Sequence, residues 1–244
     1  MAPSAAFIVL GLVPAAPPTV APATSDDLLN RPLALVVALA LVGLLPFLLM
    51  TLTSFVKIST VLHIARSAIG APEVPSSTVV VALAGALTLL AMAPVTSRIA
   101  DRVTPLLEPA SAVSPGAWVR DVVTAVREPL RGFLTANASP RQKDRFYGIA
   151  RKARSPADRG AVSREDLGVV IPAFLVTELV EAFTLGFAIY LPFLVVDLVV
   201  ANVLAALGMQ TLSPTQVSLP FKLLLFVAID GWGLLAQALV SGYR

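Results

Sequence analysis

The sequence predicts an all-α protein made of long, bent hydrophobic helices that form hairpins, with a small polar helical insertion between them. Of the 244 residues, 57% are hydrophobic and only 14% are charged, whereas about a quarter of the residues in an ordinary soluble domain are charged. Several apolar runs reach the roughly 20 residues that a helix needs to cross a bilayer. The charges concentrate in residues 98–166, which hold 13 of the 18 Lys and Arg residues. The chain is therefore predicted to be a membrane or membrane-assembled protein.

Residues 1–30 form an N-terminal lead that partly resembles a signal peptide. The lead has an apolar core at residues 5–13 and the small-residue triplet Ala21-Pro22-Ala23. Secretory signals usually have Lys or Arg before the core, and this lead has neither there. Its prolines also suit an extended tail. Both interpretations stay open.

A first pair of hydrophobic helices is predicted within residues 31–97. Asn30 can cap a helix that has Pro32 in its first turn, and the apolar run that follows continues to about Phe55. Pro46 is expected to bend this helix, because a proline inside a helix removes one hydrogen bond and crowds the preceding turn.

The continuation of this helix is amphipathic. Its apolar residues share one face at helical spacing: Phe55, Ile58, Leu62, Ala65 and Ile69. Gly70 and Pro72 are expected to end it. Ser76 or Ser77 can then cap a second, charge-free apolar helix, which is predicted to end near Pro94.

The polar block at residues 98–166 is predicted to fold as a small basic helical domain. Residues 117–134 carry valines at helical spacing, with a proline at position 129. Ser139 followed by Pro140 is typical of a helix start, and Ser163 can cap the run that enters Leu167.

The positive charge of this block is interpreted as a solvated surface near anionic lipid headgroups. The run Arg151-Lys152-Ala153-Arg154 is its densest part. The sequence has no basic groove interleaved with aromatic residues and no zinc-ligand spacing, so nucleic acid is not an expected partner.

Residues 167–244 are predicted to form a second hydrophobic hairpin. Two apolar runs between Ile171 and Trp232 are joined by a short loop, and each run is long enough to cross a bilayer. Pro192 and Pro220 are expected to bend its two arms.

The hydrophobic helices carry ionisable side chains, which plain lipid-facing helices rarely do. Each such group costs at least about 2.5 kcal/mol in hydrocarbon, so these side chains should face protein or water. Ion pairing at subunit contacts is the favoured role for them. Glu178 and Glu181, one helical turn apart, would also suit a proton relay, and a multi-span ion or solute transporter is the alternative function. The residues concerned are Lys57, Arg66, Glu178, Glu181, Asp197, Lys222 and Asp230.

The sequence contains no recognisable enzyme motif. His63 is the only histidine and there is no cysteine, so the usual zinc-ligand and thiolate patterns are missing. Phosphate-binding glycine loops and nucleophile elbows are also absent. We therefore expect no catalytic residue, no cofactor and no metal.

Five segments together resemble the FliP/SctR family, the export-gate subunits of flagellar and type III secretion systems. They are LLPFLLMTLTSFVKISTVLHIARSAIGAPEVP, PLRGFL at residues 129–134, IPAFLVTELVEAF, GFAIYLPFLVVDLVVANVLAALGM and SLPFKLLLFVAIDGW. The resemblance covers about residues 44–232, and the segments occur in the same order and with similar spacing as in the family. The run at residues 53–57 is more similar to the virulence branch, and Asp230-Gly231-Trp232 to the flagellar branch.

The resemblance implies a homo-pentamer within a helical, closed pore complex through which unfolded proteins are exported. Its implied partners are FliQ/SctS-like and FliR/SctT-like gate subunits and a FlhB/SctU-like switch subunit. It also implies a multi-pass protein of the bacterial inner membrane, with the polar block on the periplasmic side.

The loop between the last two long helices matches the family's methionine-rich gate loop, which acts as a gasket around the closed pore. The matching positions are Gly208, Met209, Gln210, Thr211 and Leu212, of which only Met209 is a methionine. Methionine suits a seal because it is unbranched and polarizable. The local alternative is that Gly208 ends one helix, Ser213-Pro214 starts the next, and Met209 only packs.

Overall fold

The computed structural model describes residues 36, 39–40, 42–44, 46–71, 75–107, 115–209 and 211–243. The predicted lead at residues 1–30, the cap at Asn30 and the loop residue Gln210 lie outside this part of the chain. The chain divides into two units, Met1–Leu45 and Pro46–Arg244. In the first unit, the described residues are helical. The second unit contains everything that follows.

The prediction of an all-α fold is confirmed, since the described part of the chain contains helices and no strand. The α-helices are α1 (Pro46–Leu52), α2 (Phe55–Ile69), α3 (Ser77–Leu107), α4 (Pro115–Asn137), α5 (Pro140–Ala153), α6 (Leu167–Ala206), α7 (Pro214–Ala228) and α8 (Gly231–Ser241), and a 3₁₀ turn spans Arg159–Ala161.

Two sharp bends separate helices in the described part of the chain, while the bends expected at Pro46, Pro192 and Pro220 stay predictions. Helices α1 and α2 meet at 85°, and α7 and α8 at 57°. The bend between α1 and α2 falls at Thr53 and Ser54. The Thr53 hydroxyl donates to the Leu49 carbonyl and accepts the Phe55 N–H at 3.3 Å, so the side chain satisfies backbone groups that the bend leaves free.

Prolines within the longer helices do not end them. Pro192 and Pro220 lie inside uninterrupted stretches of α6 and α7. The predicted end of a helix near Pro94 is wrong, because α3 continues to Leu107, and α4 likewise runs past Pro129 to Asn137. Packing explains this: Val95 and Leu134, just beyond these prolines, are buried, and burial of such side chains offsets the lost hydrogen bond.

Helix α2 is the centre of the first hydrophobic core. Its predicted apolar face is buried except for the half-buried Phe55. Gly70 ends the helix with a positive φ of 84°, a conformation that glycine adopts at no steric cost. Residues of α3, α6, α7 and α8 complete this core. Gly186 brings α6 close to α2, because a Cβ atom at position 186 would overlap the Ile64 side chain.

The polar block packs on the hydrophobic helices through a second core. Phe133 and Leu134 of α4 lie among Met92 and Val95 of α3 and Phe174 of α6. The predicted helix start at Ser139 is confirmed, since its hydroxyl accepts the Gln142 N–H at 3.4 Å and Pro140 is the first helical residue. Helix α6 starts at Leu167, and its N-cap residue is Asp166 rather than Ser163.

Helices α3 and α6 are long and apolar enough to cross a membrane, and each bent pair, α1 with α2 and α7 with α8, adds one further candidate span. Only 11% of the most apolar stretch of α6 is buried within the chain, against 39% for α3. Such an apolar surface is stable only against lipid or other protein. The chain is therefore a membrane protein.

Candidate functional site

An ion cluster lies where α2 meets α6. Lys57, on the first turn of α2, is 4% exposed, and its Nζ is 2.8 Å from Oε2 of Glu181 and 3.7 Å from Oε1 of Glu178. Glu178 is 1% exposed, whereas Glu181 is 50% exposed. Because the two carboxylates are one turn apart on α6, the same ammonium group can bind both. These residues, with Tyr243, are called the Lys57 cluster.

Tyr243, which follows α8, completes this cluster. Its hydroxyl donates to Glu178, and its oxygen is 3.3 Å from the Ser54 carbonyl at the bend between α1 and α2. The Lys57 ammonium lies 4.3 Å from the centre of the tyrosine ring. Burial, followed by the negative charge of Glu178, raises the pKa of the Tyr243 phenol, so the hydroxyl keeps the proton that it donates. The end of the chain is thereby joined to α2 and α6.

A polar cavity of about 240 Å³ opens beside the Lys57 cluster. The lysine and the two glutamates of the cluster line it, together with Asn137 and Ser139, at the junction of α4 and α5, and Gly242. The Ser139 N–H donates to the hydroxyl of Thr177 at 3.0 Å, which fixes this junction against α6. The cavity therefore combines one buried cation with two carboxylates.

A second ion cluster joins α6 to α7. The Lys222 Nζ is 2.6 Å from Oδ2 of Asp197, whose Oδ1 accepts a hydrogen bond from the Ser218 hydroxyl. Lys222 is buried and Asp197 is about a quarter exposed. A Cβ atom built at Gly70 would be 3.7 Å from the Lys222 Nζ, so the ammonium group also lies at the C-terminal end of α2, where a cation is favoured.

Two of the predicted charged residues remain outside these clusters. Arg66 is half-buried on α2, and its Nε is buried without a hydrogen-bond partner among the described residues. Asp230 is exposed at the bend between α7 and α8, with a left-handed φ of 51°. The five others pair within one chain, and a role of any of the seven at subunit contacts stays a prediction.

The loop between α6 and α7 is exposed at the tip of the hairpin. Gly208 adopts a positive φ of 73° after α6, and Ser213 precedes Pro214 at the start of α7, so both predicted helix boundaries are confirmed. Met209 is 46% exposed, and its N–H donates to the Leu204 carbonyl at 2.9 Å. Thr211 and Leu212 are also exposed. A sealing role of this loop stays a prediction.

Sequence reasoning missed Ser218 and Tyr243. Ser218 stands four residues before Lys222, so its place beside Lys222 on one helical face was readable from the spacing, whereas its hydrogen bond to Asp197 was not. Tyr243 is 65 residues from Glu178 along the chain, and no local pattern indicates that contact. Across the described residues, no group of three or more His, Cys, Asp and Glu side chains is arranged to hold a metal ion.

The fold and the site define a helical membrane protein. It has membrane-length helices, ion pairs between them and an exposed loop at the tip of a hairpin. Comparison with known sequences is more specific. Residues 38–239 match the sequence model of the FliP family. The chain belongs to the FliP family.

Similar proteins come from both secretion and flagellar systems. "Pathogenicity-related ORF2" of Xanthomonas campestris pv. glycines is 42% identical over 211 residues, which cover 86% of this chain and 96% of the relative. "Hypersensitivity response secretion protein HrcR" of Ralstonia nicotianae is 39% identical over 211 residues, 86% of this chain and 97% of the relative. "Flagellar biosynthetic protein FliP" of Caulobacter vibrioides is 38% identical over 222 residues, 91% of this chain and 80% of the relative.

Proposed function

We propose that this chain is a core subunit of the export gate of a type III secretion or flagellar system, where it forms the closed entry pore for unfolded proteins. The observation that carries the proposal is the family match, which spans residues 38–239 and includes relatives named for secretion and for flagellar biosynthesis. The chain has a structural role in this pore and catalyses no reaction.

The pore is a homo-pentamer that also contains FliQ/SctS-like and FliR/SctT-like subunits and contacts a FlhB/SctU-like switch subunit. The surface of α6 supports assembly, because most of its apolar stretch is unburied within a single chain. Bulky side chains such as Phe183, Phe187 and Leu198 are exposed there. Helices of neighbouring subunits, together with lipid, cover this surface in the gate.

The loop at the tip of the α6–α7 hairpin seals the pore in its closed state. Met209 and Leu212 supply exposed apolar side chains at this tip, and five copies of a flexible thioether can fill an irregular opening and still move aside. Because each loop contains one methionine, Leu212 contributes the rest of the apolar seal.

The gate lies in the bacterial inner membrane, with the polar block of residues 98–166 on the periplasmic side. The buried ions serve assembly and not ion transport. Lys57 and Lys222 each neutralise one carboxylate within the chain, and a neutralised carboxylate has lost the free charge that a cation carrier would use. The same pairs hold α6 against α2 and α7 while subunits assemble around them.

Deletion of the gene in its host, followed by complementation, tests this function. Loss of exported proteins from the culture medium, restored by the wild-type gene and without accompanying loss of small-ion transport, is the expected result. A strain that exports its proteins normally without this chain would contradict the proposed role.

A further inference from the structure

A basic pocket lies on the polar block, away from both ion clusters. It has a volume of about 320 Å³ and is lined by Tyr147, Gly148, Arg151, Lys152 and Arg159. The first four residues belong to α5 and Arg159 to the 3₁₀ turn that follows. Tyr147 is half-buried, whereas the three cationic side chains are exposed. The pocket is thus open to solvent, and three exposed cationic residues border it.

Tyr147 orders the guanidinium groups around this basic pocket. The central carbon of the Arg151 guanidinium is 5.6 Å from the ring centre, and that of Arg164 is 5.3 Å from it. Arg164 is also held by Asp144 at 3.2 Å. Cation–π contacts of this kind restrict flexible side chains before any ligand binds.

Most of this positive charge has no counter-charge nearby. Residues 139–164 contain eight Lys and Arg residues and only two acidic residues, both aspartates. Arg151, Lys152 and Arg159 form no ion pair within the part of the chain that the structure describes. Arg151 and Lys152 lie in the last turn of α5, where the helix dipole stabilises cations. Arg159 lies beyond this helix, so the dipole does not stabilise its charge.

The position of the basic pocket argues against a lipid ligand. Arg164 precedes α6 by three residues and contacts the middle of α5, so the pocket lies beside the start of α6. The continuous exposed apolar surface of α6 begins at Leu179, twelve residues after Leu167, which is about 18 Å along the helix. The headgroup layer is only about 5–8 Å thick, so a pocket level with Leu167 lies in the aqueous phase if the hydrocarbon layer begins at Leu179.

We propose that the basic pocket binds an acidic segment of a protein partner, with Glu or Asp carboxylates seated between Arg151, Lys152 and Arg159. Arginine presents paired N–H donors that match a carboxylate. The ordered guanidinium of Arg151 and the adjoining Arg159 allow two carboxylates of one segment to bind together. This interaction is independent of the export role, since it depends only on the folded polar block.

Fluorescence anisotropy tests the proposal, using the full chain in mild detergent at low salt and a labelled ten-residue peptide of alternating Glu and Gly. A peptide with Gln in place of Glu is the uncharged comparison. The triple variant Arg151→Gln, Lys152→Gln, Arg159→Gln should bind the Glu peptide about tenfold more weakly, which corresponds to about 1.4 kcal/mol. All three side chains are exposed, and an unchanged helical circular dichroism spectrum verifies the fold.

A matched control removes the same charge elsewhere. Arg98, Arg102 and Arg120 are exposed and lie outside the basic pocket, and their conversion to Gln should change the peptide affinity by less than about twofold. Equal losses in both triple variants, or equal binding of the Glu and Gln peptides, would overturn the proposal.

Cosedimentation with phosphatidylglycerol vesicles tests whether the basic pocket binds lipid instead. If the pocket variant lost vesicle binding and retained peptide binding, the site would be one for lipid and the proposal would be wrong.

Discussion

Replacement of Lys57 by Met tests the energetic role of the Lys57 cluster. The substitution keeps an unbranched side chain of similar length but removes the charge, so Glu178, which is 1% exposed, loses its cationic partner. Removing one member of a buried ion pair typically costs about 3–5 kcal/mol. Glu181 adds little to this cost, because it is half-exposed and water can replace its partner. We therefore expect the free energy of unfolding to fall by about 3–5 kcal/mol.

A double-mutant cycle separates the ion pair from the packing of Lys57. Glu178→Gln in the Lys57→Met background removes the unpaired charge and leaves an acceptor for the Tyr243 hydroxyl. The double variant should therefore be less destabilised than the sum of the two single variants, by about 1–3 kcal/mol. Equilibrium unfolding in mixed detergent, followed by tryptophan fluorescence, measures these differences.

The exposed Lys152 supplies the matched control for the cycle. Lys152→Met should change the free energy of unfolding by no more than about 0.5 kcal/mol. If Lys57→Met were as mild as this control, or if the two cluster substitutions were simply additive, the reasoning about a buried ion pair would be refuted.

Three further substitutions follow from the same structure. Tyr243→Phe removes a hydrogen bond to a buried carboxylate and should cost about 1.5–3 kcal/mol in the same unfolding assay, whereas the exposed Tyr190→Phe should cost almost nothing. Gly186→Ala places a methyl group where α2 and α6 touch and should cost about 1–3 kcal/mol, while Gly85→Ala, which has open space around it, should be neutral or stabilising; equal effects would show that the close approach is unimportant. Met209→Gly should raise ion conductance of the assembled complex in a planar bilayer, and unchanged conductance would exclude Met209 from the seal.

Local features of the fold were predictable because their causes are local. The buried face of α2 follows from apolar spacing, and its end follows from Gly70, which adopts the positive φ that glycine favours. The start of α5 follows from a serine cap before Pro140. Each signal is complete within a few residues, so a single sequence is sufficient to read it.

Features that depend on distant residues were not predictable in the same way. Pro94 indicated a helix end locally, but buried side chains such as Val95 just after it keep α3 helical. The ionisable residues were recognisable by type, whereas Lys57 and Glu181 are 124 residues apart. Their pairing depends on how α2 packs against α6, which spacing along the chain does not specify.

Native mass spectrometry of the complex, purified in mild detergent from its host through a tag on this chain, tests the central claim most directly. As a core export-gate subunit, the chain should be recovered in five copies together with FliQ/SctS-like and FliR/SctT-like subunits. A monomer or dimer without partner subunits, active in small-ion flux after reconstitution, would contradict the account and support the transporter alternative.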